Sequence, residues 1–408
     1  MRLIVMTWIL LPFVVMPYIL NAQGTGKILS STLTSAMPGQ NWTDSYLNLQ
    51  RSNLPLFQKI EVRSELDRLL FSRQEYLARA TFNSLRQRRS EENKMRAYAT
   101  WKSSEQTDNW RPVILQAYKS ILTLQSLAVE VQITDQLLEL ANLKDSLYQV
   151  IAGSGREIDL ASYIELKQEM QDLEIQRRFL IEKWKASAAI LDTDTTMLSP
   201  DIQWCSIDRL EAVIDRLELL PETTTALERD YLDASASVLR ADSRRWLDFV
   251  QARYTVRDDL LLQNRFSLGV GLTIPWNGST GIKTRDIAFR KEQLTEEARA
   301  RETLRARRLA EYRQHFNTTL KSYRLFRQYQ EDGDMNALKE KYLSSGKADP
   351  LKWIDIQRRE IKRLSREHQE WQTLWELYID ILDVSGAMYK SPFINYFYGP
   401  DVPIVSEK

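Results

Sequence analysis

Residues 265–278 read RFSLGVGLTIPWNG, an alternating stretch in a chain that otherwise reads as long, charged, heptad-patterned helices. Phe266, Leu268, Val270, Leu272 and Ile274 fall on one face, and Ser267, Gly269, Gly271 and Thr273 on the other. That is the period of two that defines a strand. About ten residues of it match a strand that spans an outer membrane with its apolar side chains toward lipid. Upstream, Val250, Ala252, Tyr254 and Val256 alternate with Gln251, Arg253, Thr255 and Arg257, so the two segments predict a hairpin over about 247–276.

Around this hairpin the composition predicts long elements. The chain of 408 residues holds only 13 Gly and 12 Pro, below average usage, so turns are few. Lys and Arg number 56 against 55 Asp and Glu, a balance that gives no electrostatic case for a nucleic-acid partner. The charge-rich run at 298–314, ARARETLRARRLAEYRQ, reads as a solvated helix face with i,i+4 pairs. One cysteine, Cys205, and two histidines, His315 and His368, leave almost no material for a metal site or a Cys–His pair. No Gly-rich phosphate loop or Ser/His/Asp set is present, so neither a cofactor nor an enzymatic activity is expected. Residues 1–22 place Arg2 before a long apolar run that ends in small and polar residues, the layout of a signal peptide cleaved near Ala22.

The rest of the chain states one pattern twice, over 23–192 and 223–386, joined by a connection at 193–222 and followed by a C-terminal tail at 387–408. In the second pass a helix is expected from about Thr223 to Trp246, then the hairpin, then a helix from about Lys283 to Gln330 with Leu309, Tyr312, Phe316, Leu320 and Tyr323 on its seam. After the tip at 344–350 a last helix carries Ile361, Leu364, His368, Trp371, Trp375, Tyr378 and Leu382 at heptad spacing, which makes His368 a packed core residue. The first pass is fainter. It predicts a helix from about Leu54 to Tyr76 and a weak hairpin over about 78–102, in which Met95, Ala97, Ala99 and Trp101 alternate with polar residues. A long helix to Val150, a tip at 153–159 and a helix from about Ala161 to Leu191 complete it. Both passes end on Ile-Leu-Asp, at 190–192 and 381–383.

The expected fold class is therefore mainly α with a small β portion. Helices of about 45–60 residues, roughly 70–90 Å, need lateral partners rather than a compact globule. Four strands are too few to close a barrel alone, since about eight is the fewest in lipid. Several chains would have to pool their strands into one outer-membrane β-barrel continued by an α-helical tunnel.

With these features the chain resembles the TolC family of outer-membrane efflux and secretion channels. The strand-to-helix junction Ile274-Pro275-Trp276-Asn277-Gly278 with Gly281 is similar to the family's, as is Gly346 followed by Ile354-Asp355-Ile356-Gln357-Arg358. Gly155 followed by Ile164-Glu165-Leu166-Lys167 is similar to the first tip. The resemblance implies a homotrimer that passively conducts solutes from the periplasm to the exterior. A periplasmic adaptor protein fed by an inner-membrane pump would be its partner, and the outer membrane of a Gram-negative bacterium its location, with the helices in the periplasm. It also implies that Gly153, Gly155, Arg156, Gly346 and Lys347 form adaptor-docking tips. Lys352 and Asp355 would then lie at the constriction, where the family often has two acids, and Lys352 stands in reach of Asp355 on the same helix. The competing expectation is a secreted or periplasmic coiled-coil scaffold without a channel, which leaves the hairpins without a role.

Overall fold

The computed structural model describes residues 29, 57–66, 74–154, 159–190, 204–243, 247–255, 265–272, 278–331, 341–342, 349–390 and 393–398. The expected leader over 1–22 lies outside the described residues. Among the described residues the order is β1 (Phe57–Leu66), β2 (Gln74–Phe82), α1 (Leu85–Gly153), α2 (Leu160–Ile190), α3 (Ile207–Arg216), α4 (Thr223–Asp242), β3 (Leu247–Thr255), β4 (Arg265–Leu272), α5 (Gly278–Glu331) and α6 (Pro350–Ser385). A single 3-10 turn, Ala387–Tyr389, follows α6. None of the described helices is long and apolar enough to cross a membrane. The chain divides into two compact units, one drawn from Met1–Ala36, Arg111–Leu220 and Arg305–Lys408, the other from Met37–Trp110 and Pro221–Leu304.

The second of these units holds the sheet. Its four strands run in the order β1-β2-β3-β4, every neighbouring pair antiparallel. Because the directions alternate, the start of β1, the end of β2, the start of β3 and the end of β4 lie at one end of the sheet. The helices leave from that same end: α1 begins three residues after β2, with the Ser84 hydroxyl accepting from the Gln87 N–H at 3.1 Å as an N-cap. Gln87 in turn donates from its side-chain amide to the Asp242 carboxylate at the end of α4, 3.4 Å away.

Two expectations for the first pass are corrected here. The segment expected as a helix from Leu54 to Tyr76 contains β1 and the start of β2, and the first strand pair spans 57–82, not 78–102. Residues 94–102 are helical because their aromatic rows serve a helix: Tyr98 and Trp101, three apart, meet edge-on at 5.8 Å and both pack on Tyr231 of α4, at 5.4 and 5.3 Å, while Ala99 between them is fully buried. The alternation seen in sequence is overridden by that packing.

The first unit is helical around an aromatic core. Leu309, Phe316, Leu320 and Tyr323 of α5 are buried as their spacing predicts, and so are Ile361, Trp375, Tyr378 and Leu382 of α6; Leu364 is exposed. The 193–222 connection is not merely a linker: α3 buries Leu210, Val213 and Ile214, and its acidic face is held by Arg324 of α5, 2.8 Å from Asp208 and 2.6 Å from Glu211. Arg313 of α5 donates to the Ile214 carbonyl at 3.1 Å, closing the end of α3. The C-terminal tail contributes as well. Its residues 393–398 belong to the core, with Phe397 fully buried against Trp204 (4.4 Å between rings) and Tyr118 (4.9 Å). The Cys205 N–H donates to the Phe397 carbonyl at 2.8 Å, and the Tyr118 hydroxyl to the Ile394 carbonyl at 2.8 Å. Burial pushes the Cys205 thiol up to about 11, which makes it a poor nucleophile.

The tail's role in the core is testable. Phe397→Ala removes a fully buried ring and is expected to cost about 3–5 kcal/mol, read as a lowered thermal midpoint of the purified protein. An unchanged midpoint would remove the tail from the core.

Candidate lipid-facing sheet and constriction residues

The register sorts the sheet into two faces of opposite chemistry. One face carries Ile60 and Val62 of β1, Tyr76, Ala78 and Ala80 of β2, Val250, Ala252 and Tyr254 of β3, and Phe266, Leu268, Val270 and Leu272 of β4. Its outer strands are open among the described residues: Ile60, Val62 and the four β4 residues are 61–74% exposed. A continuous exposed apolar surface of this kind marks an interface with lipid or protein. The four described members of the expected lipid-facing strand thus share one face, while Ile274 lies outside the described residues.

The opposite face is polar and interlocked. Rows cross the sheet as Lys59, Thr81, Phe249, Gly271; Glu61, Arg79, Gln251, Gly269; Arg63, Leu77, Arg253, Ser267; and Glu65, Glu75, Thr255, Arg265. Arg79 stacks its guanidinium on the Phe249 ring at 3.5 Å, Arg253 pairs with Glu75, and Lys59 pairs with Glu61. The two strand glycines are explained by this layer. A Cβ on Gly271 would stand 2.2 Å from Phe249 Cε1, and one on Gly269 2.9 Å from Gln251 Nε2, so both bulky side chains lie flat over bare backbone.

Among the described residues each outer strand, β1 and β4, pairs on one side only. Their other sides present a row of unpaired backbone groups, which proteins normally cover or charge. Bulges interrupt the ladders between Phe57 and Lys59 and between Leu247 and Phe249, both at the helix-bearing end.

The constriction candidates lie in the first unit. Asp355 does not pair with Lys352; the partner is Lys144 of α1, 2.7 Å away, while Lys352 is exposed with no partner among the described residues. The pair belongs to a set that ties three helices to one another: Asp135 to Arg177 and Asp145 to Lys167 join α1 to α2, Lys144 to Asp355 joins α1 to α6, and Glu169 to Arg358 joins α2 to α6. Beneath them Ala141, Tyr148, Leu166 and Leu173 make a small apolar core with Tyr163, Met170 and Leu351. The Lys167 ammonium, 2.7 Å from Asp145, holds that carboxyl below the usual range, and the Tyr163 and Gln149 side chains add to the effect. The stabilisation from this carboxylate is therefore present above its ordinary pKa and fades as acid carries the pH through the lowered value.

Of the tip residues, Gly153 ends α1 with open space around it and has no positive φ; Gly155, Arg156, Gly346 and Lys347 lie outside the described residues. Sequence reasoning missed the caps that follow both tips. Asp159 accepts from the Ala161 N–H at 3.1 Å and Asp349 from the Leu351 N–H at 3.0 Å, each opening the next helix. Their signal was an Asp directly before an apolar residue or a Pro at the first helical position. His368, expected as a packed core residue, is half-buried, its ring stacked on Trp371 at 5.5 Å and its Nε2 3.1 Å from the Ser126 hydroxyl; burial holds its pKa below the usual value.

Solved structures with the same fold include the outer-membrane channel OprN, 11% identical, covering 90% of this chain and 91% of that one at a TM-score of 0.59. CusC is 10% identical, covering 89% and 92% at a TM-score of 0.58. The open-state MtrE outer-membrane channel of Neisseria gonorrhoeae is 10% identical, covering 90% and 88% at a TM-score of 0.55. No family model matches the sequence, and no curated protein matches it. The chain has the TolC-like channel fold in a divergent sequence.

Gly271→Ala should force Phe249 off the strand and reduce the yield of folded protein, and adding Phe249→Ala should restore it. Gly281→Ala, in the open first turn of α5, should be neutral or stabilise by up to about 1 kcal/mol. Equal yields for the two single variants would contradict the close packing at Gly271.

Proposed function

We propose that the chain is the outer-membrane channel component of a tripartite efflux or secretion system, a passive conduit from the periplasm to the exterior. One observation carries this reading: among the described residues, a four-stranded sheet with an exposed apolar face and two unpaired edges. In lipid the face is satisfied but the edges are not, because no water is there to pair them. Three antiparallel pairings separate β1 from β4, so β4 runs opposite to β1. The β4 edge of one chain can therefore join the β1 edge of the next without breaking the alternation. With four strands per chain, three chains supply twelve, an even number above the minimum of about eight.

The likeness to outer-membrane channels supports the channel role, and the resemblance noted in the sequence supplies the homotrimer, the periplasmic adaptor and the inner-membrane pump. The order β1-β2-α1-α2 and, after α3 and α4, β3-β4-α5-α6 supports reading the chain as one pattern stated twice. On this reading the helices continue the barrel as a periplasmic tunnel, and the tips at Gly153, Gly155 and Arg156 and at Gly346 and Lys347 meet the adaptor. The gate works through helices shifting against one another, and the Lys144–Asp355 pair holds α6 to α1 when it is shut. Polar residues of the sheet face the lumen and Phe266, Leu268, Val270, Leu272 and Ile274 face lipid.

The direct test is fractionation with outer membranes together with ion conductance of the purified oligomer in a planar bilayer. Recovery as a soluble, non-conducting protein would favour the secreted coiled-coil scaffold. Within the sheet, Leu272→Arg should cost about 2–4 kcal/mol near the midplane and reduce assembled oligomer, whereas Ser267→Arg on the polar face should be tolerated; equal losses would argue against a membrane strand. At the gate, an ion pair of about 0.5–1 kcal/mol predicts a two- to fivefold rise in open probability for Lys144→Ala or Asp355→Ala. The charge-swapped double variant should reverse the rise and Lys352→Ala should cause none. A larger effect from Lys352 than from Lys144 would overturn this assignment.

A further inference from the structure

The polar face of the sheet is not electrically neutral. Among the described strand residues it carries Lys59, Arg63, Arg79, Arg253 and Arg265 against Glu61, Glu65 and Glu75, a surplus of two positive charges per chain. The accessible charge is more lopsided than the count. Glu61 lies beneath Lys59 and 3.7 Å from Arg63, and its side chain is 21% exposed where theirs are 65% and 61%. Glu75 is likewise covered by its partner, 24% against 51% for Arg253. Arg265 at the β4 edge is exposed, and Arg79, flat on Phe249, keeps a cation in the middle of the face. Glu61 and Glu75 are thus drawn down against the sheet with cations standing above them, while Glu65 is exposed at the β1 edge.

We propose that this face makes the barrel lumen selective for negatively charged solutes, with Lys59, Arg63, Arg253 and Arg265 as the specificity-determining residues. The inference rests on the channel reading above and adds the charge class of what passes. A lumen walled by lipid-embedded sheet focuses the field of its surface charges, and symmetry repeats the surplus once per chain. Small anions and acidic organic solutes are enriched inside and cations are depleted. The effect is electrostatic and screenable. At 0.1 M salt the Debye length is about 10 Å, comparable to a lumen radius, and at 1 M it is about 3 Å, so selectivity must weaken as salt rises.

The experiment is a reversal-potential measurement on the full-length oligomer in a planar bilayer under a potassium chloride gradient. The wild type is expected to favour chloride over potassium by about two- to threefold near 0.1 M salt, with the ratio falling toward one near 1 M. The triple variant Lys59→Gln, Arg63→Gln, Arg265→Gln, which turns the surplus of two into a deficit of one per chain, should lose the preference for chloride. Glu65→Gln should increase it, and that single change at an exposed edge position keeps the test available if the triple variant does not assemble. Conductance that favours potassium, or a ratio that neither variant moves, overturns the proposal while leaving the channel reading intact. No conductance from the wild type overturns both.

Discussion

The two sheet edges that no described residue pairs are the constraint on which the account depends. An isolated chain holds a surface that water disfavours, flanked by backbone groups that lipid cannot satisfy. Neither solvent suits it as a closed object. Pairing between copies resolves both difficulties at once: it removes the edges and wraps the apolar face outward. The same logic explains the interlocked polar layer, because a strand facing water on its inner side must pair its charges and lay Phe249 and Gln251 over glycines rather than leave them upright.

Where the chain is helical, the problem is different. A helix of 69 residues, about 100 Å long, and one of 54 cannot be stabilised by their own hydrogen bonds and need partners along their length. The first unit supplies these in two ways. Near α3 and the tail the partners are aromatic, with Trp204, Trp375 and Phe397 meeting edge to face. Near the tips they are ion pairs, one or more between each two of α1, α2 and α6, over a thin apolar layer. Partly exposed ion pairs are individually weaker than a packed aromatic core. A junction built from them yields to a partner or a charge change more easily than the aromatic core does, which suits the helix segments near the tips, where opening is proposed.

The sequence made β3 and β4 legible because large apolar residues alternate there with small or polar ones, a pattern no helix face reproduces. It hid β1, where Lys59, Glu61, Arg63 and Glu65 look like a helix surface although Ile60 and Val62 are β-branched residues suited to a strand. The region 94–102 misled in the opposite sense, since rows three residues apart sit inside its alternation and Tyr231 decides between them. Asp355 was identifiable as a charged position on α6, but its partner was not, because Lys144 lies 211 residues away and only the fold brings them together. The tail at 393–398 is too short to show a period, and its burial follows from rings that other segments supply.

The central claim, that several chains join β1 to β4 in one barrel, is tested most directly by disulfide cross-linking across that junction. Single cysteines would be placed in pairs along β1 from Ile60 to Ser64 and along β4 from Leu268 to Val270, with the sole native cysteine, Cys205, replaced by serine. The account predicts that mild oxidation of the membrane-extracted protein gives covalent dimers and trimers for at least one pair in register, reversed by reductant. Monomer alone from every pair, or a link formed within one chain, would contradict it.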